Sequence, residues 1–496
     1  VIDVLVIGSG YGGSAVAARL APTARVLVVE RGRWWRPGEF PESLRGLARS
    51  YRTARNPTGL WEMRLGRGTG VAFASAVGGS SPVNYGITAR PDDHAFAGWP
   101  VSAPELAPWL ARAHAALGPT VNPIGDELGD KAFLDRLEPG RRVDLENTID
   151  WDTCTQCGRC VPGCNLGAKR SLDRTYLASA IAAGAELRAG TVVRDLARRP
   201  GGYAVELAPT SGGPGEWIEA RAVVIAAGTL GTLDLLHRLR LPVGASFGQR
   251  ISLNGDGLAF LYDTPHRLSS HAGAPISTSV RVPFVDAAGQ TRTLMIMSGR
   301  VPLTAMRLAA VGMIVTSALA GVDGGGRGGR TAGRLLRQLR DLIAVGSAGA
   351  LSRSFMYKLD AQDAGRGVAR FTPAGAVIDW PDYADDPILR FAEARLAAWA
   401  AEIGGTVLPS VARLPGMRGF SVHPLGGCRM GASIDDGVVD PVGRIFDPRG
   451  GIYPGLRIAD GSILPGSLGV PPSLTIAALA ERIAADLIRE RAVTRA

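Results

Sequence analysis

Cysteine, histidine and long apolar runs are all scarce in this chain. No apolar run approaches the ~20 residues needed to cross a bilayer. The longest candidate, Leu308–Ala320, is broken by Gly312, Thr316 and Ser317. A basic segment with an apolar core and a cleavage pattern is also missing ahead of the first strand-like run, so a cytoplasmic protein is the expectation. No internal repeat is evident. The net charge is +10, almost all of it arginine, but no nucleic-acid-binding motif accompanies it, and no nucleic-acid partner is expected. With 496 residues, 46% of them hydrophobic, the chain can bury a large core, in two intertwined domains.

The charge is patterned in one place. Arg327, Arg330, Arg334, Arg337 and Arg340 recur every three or four residues, with Leu335, Leu336, Leu339, Leu342 and Ile343 between them. From Arg334 onward this reads as a basic amphipathic helix. Such a helix commonly packs its apolar face on its own domain; the alternative is contact with an anionic membrane surface.

Gly8, Gly10 and Gly13 follow an apolar run in VIDVLVIGSGYGGSAVAARL, and the next run, ARVLVVERG, carries Glu30 at its end. Strand, glycine turn, helix, strand and acid thus stand in order. The glycines let the backbone approach a pyrophosphate at the helix N-terminus, and Glu30 can accept hydrogen bonds from a ribose. Residues 185–231 return to sheet logic, and Val223–Ala227 is a buried-strand run ending at Gly228, where a small-residue turn suits a second approach to the same nucleotide. In residues 240–420, ISTSVRVPF and TLMIMSGRV predict antiparallel strands, and GVDGGGRGGRT a flexible loop.

Five segments together, IGSGYGGSAVAARL, VGGSSPVNYG, IAAGTLGTLDLL, FSVHPLGGCRMG and IADGSILPGSLGVPPSLTIAALAER, resemble the glucose–methanol–choline oxidoreductase family, particularly its cholesterol-oxidase-like branch. The resemblance implies an α/β fold: a Rossmann-like FAD-binding domain with an inserted α+β substrate domain containing a mostly antiparallel sheet. The FAD domain would take residues 1–100, 170–240 and 420–496, the cysteine motif and a cover segment 101–169, and the substrate domain 241–419. By that likeness Gly8, Gly10, Gly13 and Glu30 hold the adenosine half, Gly79 and Asn84 lie against the flavin, Val193 meets the adenine through backbone, and Asp460 and Gly461 return to the pyrophosphate and ribityl chain. The helix starting near Ser473–Thr475 would aim its positive end at the ring edge.

His423, in HPLGG, is the candidate proton acceptor, because a neutral imidazole can take a hydroxyl proton as hydride leaves the carbon. Relatives of the branch carry an Asn–Pro pair before the last helix, and here the pair is Pro471–Pro472, which offers no donor. Tyr357, Gln362 and Asp363, on an expected substrate-domain strand, are candidates to replace it, and His94 is a place to look for covalent flavin attachment.

Four of the five cysteines form Cys154-x2-Cys157-x2-Cys160-x3-Cys164. The spacing matches bacterial ferredoxin segments, in which the fourth thiolate often serves a different cluster, and it also suits zinc or free thiols. A cytosolic redox poise disfavours disulfides. Similar motifs occur in the cholesterol-oxidase-like branch, so an inherited structural clasp is a further reading. The functional expectation is FAD-dependent oxidation of a CH–OH group of a bulky organic alcohol (sterol-, terpenoid-, sugar- or secondary-metabolite-like) to a carbonyl, with dioxygen or a redox partner as acceptor. Residues 300–350 would cover the substrate. The alternatives are a non-oxidative flavoprotein lyase, isomerase or cyclase, and an electron-transfer protein using an iron–sulfur cluster.

Overall fold

The computed structural model describes residues 1–123, 130–266, 276–299, 311, 332–343, 349–408 and 417–495. The expected substrate cover, residues 300–350, falls mostly outside them, as do Leu308–Ala320 (Val311 excepted) and the GVDGGGRGGRT stretch. No helix of the described residues is long and apolar enough to cross a membrane.

One sheet of eight strands organises the nucleotide half. Its main path runs Arg444–Phe446, Ile452–Ile458, Glu216–Ile225, Ile2–Ile7, Val26–Glu30, Glu186–Ala189, and Gly202–Pro209 and Thr191–Arg199 extend it from Glu216–Ile225. The strands from Ile452–Ile458 through Glu186–Ala189 pair in parallel, with Ile7 opposite both Val29 and Ile225, and Ile225 opposite Ile458. Val4–Val6, Val26–Val29 and Val223–Ile225 are almost wholly buried, the signature of parallel strands covered on both faces. Helices Tyr11–Leu20 and Ser473–Arg495 pack against each other, so the first and last helices share one layer.

That packing needs glycine. A Cβ on Gly12 would stand 1.5 Å from the Ala459 carbonyl oxygen, and one on Gly8, at φ +104°, would stand 2.3 Å from that of Ala226. Three strand ends can therefore crowd around one turn only because side chains are missing there.

The second sheet has six antiparallel strands, in the order Thr406–Leu408, Gly257–Tyr262, Phe355–Ala361, Thr291–Gly299, Thr278–Val285, Arg142–Asp144. The two antiparallel segments expected from ISTSVRVPF and TLMIMSGRV are its neighbours Thr278–Val285 and Thr291–Gly299. Helices Asp130–Leu137 and Pro387–Ile403 cover one face, contributing Leu134, Leu137, Ile388, Leu396 and Trp399 to a core with Leu294, Ile296, Tyr357 and Leu359. Pro387 suits the first helical position, and the Asp386 carboxylate caps it by accepting from the Ile388 N–H at 3.1 Å. The edge strand Arg142–Asp144 and the helix Asp130–Leu137 come from the segment that carries the cysteines, so that segment also builds the substrate sheet. The basic amphipathic pattern is a helix, Ala332–Ile343; Arg337 forms two 2.7 Å bonds to the Asp263 carboxylate, while Leu336, Leu339 and Leu342 are exposed.

Gly12→Ala is expected to destabilise the protein by about 1–3 kcal/mol or more, because the added methyl group has backbone in its place. Calorimetry checks this; an unchanged unfolding midpoint would contradict the close helix–strand contact.

Candidate active site

The carboxyl ends of Ile2–Ile7, Val26–Glu30 and Glu216–Ile225, together with the turn after Ile452–Ile458, open on one cavity of about 1330 Å3. This exceeds the ~300–1,000 Å3 of ordinary small-ligand pockets, leaving room for a dinucleotide and a substrate together. Gly8, Gly10, Glu30, Gly79, Asn84, Val193, Gly228, Asp460, Gly461, Ser473 and His423 all line it. Gly13 and Thr475 do not. Gly13 lets the helix lie close to the first strand, where a Cβ would meet the Gly8 carbonyl oxygen at 1.9 Å, and Thr475 is fully buried behind the wall.

The residues fit FAD. Gly10 faces open space, where a Cβ would meet nothing nearer than the Gly79 Cα at 4.0 Å, and it precedes the helix Tyr11–Leu20, whose N-terminus attracts phosphate. The Glu30 carboxylate accepts from the Ser9 N–H at 3.0 Å, the Ser9 hydroxyl at 2.8 Å and the Gly32 N–H at 2.8 Å, so it braces the turn as well as lining the cavity. The Val193 carbonyl is taken by Arg238 at 2.7 Å. The Asn84 amide donates to the Tyr11 hydroxyl at 2.8 Å. Asp460 accepts from the Gly228 N–H at 3.0 Å, the Thr232 hydroxyl at 2.5 Å and the Ser462 N–H at 2.9 Å.

A polar cluster lies at the substrate-domain side. His423 Nδ1 is 3.0 Å from Asp360 Oδ1 and 3.7 Å from Asp256 Oδ2. The Lys358 ammonium donates to Asp256 at 2.5 Å, to Asp360 at 2.8 Å and to the Leu359 carbonyl at 2.9 Å. Asp256 also accepts from the Val422 N–H at 2.6 Å, and the His423 N–H donates to the Ser421 hydroxyl at 2.8 Å. Asp256, Asp360 and His423 offer ligand atoms within 4.8 Å of one another, as a metal site would. Lys358 already supplies the positive charge there. Burial pushes the Asp360 carboxyl up, but Lys358 and His423 outweigh it and hold Asp360 below the usual carboxylate range. Burial pulls Lys358 down, and the two aspartates more than reverse this. An ionised Asp360 accepts a hydrogen bond from Nδ1–H, which fixes the tautomer and leaves the other ring nitrogen as an acceptor on the cavity side.

The segment MYKLDAQD meets His423 through Lys358 and Asp360, and not through Tyr357, Gln362 or Asp363. Tyr357 packs into the helix-covered core against Trp399. Gln362 is held by His94 and the Thr293 N–H, and Asp363 accepts from the Leu253 and Gly255 N–H groups. None of these four lines the cavity, so neither a replacement for the family Asn nor a flavin attachment at His94 is found among them. The alternation itself was the missed signal: Tyr357, Leu359 and Ala361 are core, so Lys358 and Asp360 must face the other way.

At the far end of the cavity, Glu62 is gripped by Arg31 at 3.1 Å, Arg52 at 2.9 Å and Arg64 at 2.5 Å. Burial raises its proton affinity, but the three guanidinium groups win and bring it down to about 2. The four cysteines line a separate cavity of about 330 Å3.

A glycine turn heading a helix, an acid closing the next strand and a cavity of this size define a dinucleotide-binding α/β protein. Models of the GMC oxidoreductase family match residues 3–241 and 411–480. The chain belongs to that family and is an FAD-dependent alcohol oxidoreductase. It is 27% identical to a cholesterol oxidase of Acinetobacter baumannii, over 97% of this chain and 93% of that protein. To a cholesterol oxidase of Mycobacterium tuberculosis it is 29% identical, over 97% and 90%. Its fold is similar to that of pyridoxine 4-oxidase from Mesorbium loti, with a TM-score of 0.64 at 18% identity over 99% of both chains. The family match and the likeness to the cholesterol oxidases favour oxidation over the non-oxidative and pure electron-transfer alternatives.

The lowered proton affinity of Glu62 carries a sign. Its contribution to stability is fully present above pH about 4.5 and is lost as the pH falls toward about 2. In denaturant titrations the stability gap between the protein and Glu62→Gln is expected to close over that window. A gap independent of pH would show that the arginines do not hold a carboxylate there.

Proposed function

We propose that this enzyme oxidises the CH–OH group of a bulky organic alcohol to a carbonyl, with His423 as the group that takes the hydroxyl proton. The observation that carries the reading is the His423–Asp360–Lys358–Asp256 cluster at the wall of a cavity large enough for cofactor and substrate. FAD, when bound, accepts the hydride. Gly8, Gly10, Gly79, Asn84, Asp460 and Gly461 would hold it, with Glu30 toward the ribose and Val193 toward the adenine.

Charge explains why His423 is suited to the task. With a neutral imidazole, one lysine and two aspartates leave the cluster one net negative charge, and proton uptake by His423 brings it to zero. Asp360 stabilises the imidazolium that forms and keeps the ring aimed. Lys358 cannot itself donate to the substrate, because all three of its protons are engaged. The Pro471–Pro472 pair lines the cavity without offering a donor. Tyr85, which lines the same cavity, is a phenol that burial, Cys160 and Asp256 all keep protonated, and it offers a donor there.

A sterol- or terpenoid-sized substrate is supported by the cavity volume, by the apolar Leu258, Phe420 and Val422 beside His423, and by the cholesterol oxidases to which the chain is similar. Dioxygen or a redox partner is the acceptor class.

His423→Ala is expected to retain the yellow cofactor and to slow anaerobic bleaching by a substrate alcohol about hundredfold or more. Asp360→Asn should slow it as well, by disturbing the tautomer. Stopped-flow absorbance across a panel of sterol, long-chain and aryl alcohols measures both, and bleaching at the unmodified rate in His423→Ala would remove the assigned base.

A further inference from the structure

We propose that Cys154, Cys157, Cys160 and Cys164 together ligate a single [4Fe–4S] cluster, in a cavity that shares a wall with the FAD cavity. All four cysteines line this one space of about 330 Å3, while the fifth, Cys428, lies elsewhere. The ferredoxin spacing alone left open whether the fourth thiolate serves another centre. The fold closes that question, because Cys164 faces the same space as the other three.

The loop is shaped to surround something. Gln156 and glycines 158, 163 and 167 all have positive φ, at 56°, 67°, 116° and 72°. A Cβ at Gly163 would enter the Phe40 ring, 2.0 Å from its nearest atom. The Gln156 N–H donates to Cys154 Sγ at 3.4 Å, the kind of bond that tunes cluster thiolates.

Geometry separates a cluster from a single ion. Tetrahedral zinc, with Zn–S near 2.3 Å, draws its sulfurs to about 3.8 Å from one another. Among the described residues the one triad of possible ligand atoms within 4.8 Å of each other is Asp256, Asp360 and His423, so no three of these sulfurs are that close. The space they share, about 330 Å3, has room for a multi-atom centre.

Lys169 is an independent pointer. It lines the cavity and is 4% exposed, and its ammonium donates to the Asn84 carbonyl. Among the described residues it forms no ion pair with a carboxylate, and Asp173 is the one acid that acts on it, from farther off. A buried cation without a directly paired counter-charge is costly, and a cluster held by four thiolates carries net negative charge.

The site adjoins the FAD cavity directly. Pro162 lines both spaces, Val161 lines the larger, and Lys169 bonds the backbone of Asn84, which also lines the larger. The cluster would thus put a one-electron centre beside a two-electron one. Its existence does not depend on which alcohol is oxidised, or on whether His423 is the base.

The test is elemental and spectroscopic. Full-length protein, purified anaerobically and reconstituted with ferrous iron and sulfide, is expected to hold about four iron and four acid-labile sulfide per chain. Dithionite should elicit an electron paramagnetic resonance signal distinct from flavin. Cys160→Ser should keep bound FAD and lose iron, whereas Cys428→Ser should keep both. Lys169→Met should lower the cluster's reduction potential in an EPR-monitored titration, because the cation favours the more negative, reduced form. If Cys160→Ser does not fold, the iron and sulfide content of the unmodified protein decides the matter. Zinc without sulfide, or bound FAD with no iron after reconstitution, would overturn the proposal.

Discussion

The buried carboxylate of Asp460 is the joint on which the rest of the molecule depends. It stands just past the last parallel strand and accepts hydrogen bonds from Gly228, from Thr232 and from Ser462. Burial raises its proton affinity, and these donors oppose that rise. Residues more than two hundred positions apart are thereby held at the same end of the sheet. Gly8 and Gly12 complete the joint by leaving room for the Ala226 and Ala459 carbonyls. A side chain at either glycine, or a missing acceptor at Asp460, would push apart the surfaces between which the cofactor must lie.

The second constraint is electrostatic. Lys358 and Asp360 project from a central strand of the substrate sheet, Asp256 stands just before its neighbour, and His423 comes from the loop leading back to the nucleotide half. Asp256 grips the Val422 backbone as well as Lys358, so the histidine's loop is attached to the sheet by both its main chain and its ring. Taking one member away would leave an unpaired charge in a buried place, which costs more than the pair itself contributes. Orientation of the imidazole and cohesion of the two halves are thus served by the same four side chains.

The legible and illegible parts of the chain divide by the range of the interactions involved. The glycine turn, Glu30 and the buried valine strands were readable because a turn needing positive φ and a strand covered on both faces leave local marks. His423 was readable from its Gly-rich turn together with the family resemblance. Lys358 and Asp360 were passed over, although period-two alternation against Tyr357 and Leu359 was there to be used. Asp256 had no local mark at all: its importance comes from contacts with residues 358 and 422. Lys169 likewise became noticeable only when it was found buried beside the cysteines.

By itself the sequence determined the βαβ nucleotide unit, the antiparallel character of the middle segments and the grouping of four cysteines within eleven positions, because each depends on neighbours a few residues away. Tertiary structure alone decided that Asp256 joins Lys358 beside His423, that Gly13 and Thr475 stand behind the cavity wall, and that the cysteine cavity and the FAD cavity touch at Pro162. The physical reason is the same in each case. A side chain's chemical role is set by what it faces, and facing partners in this fold come from strands and loops far apart along the chain.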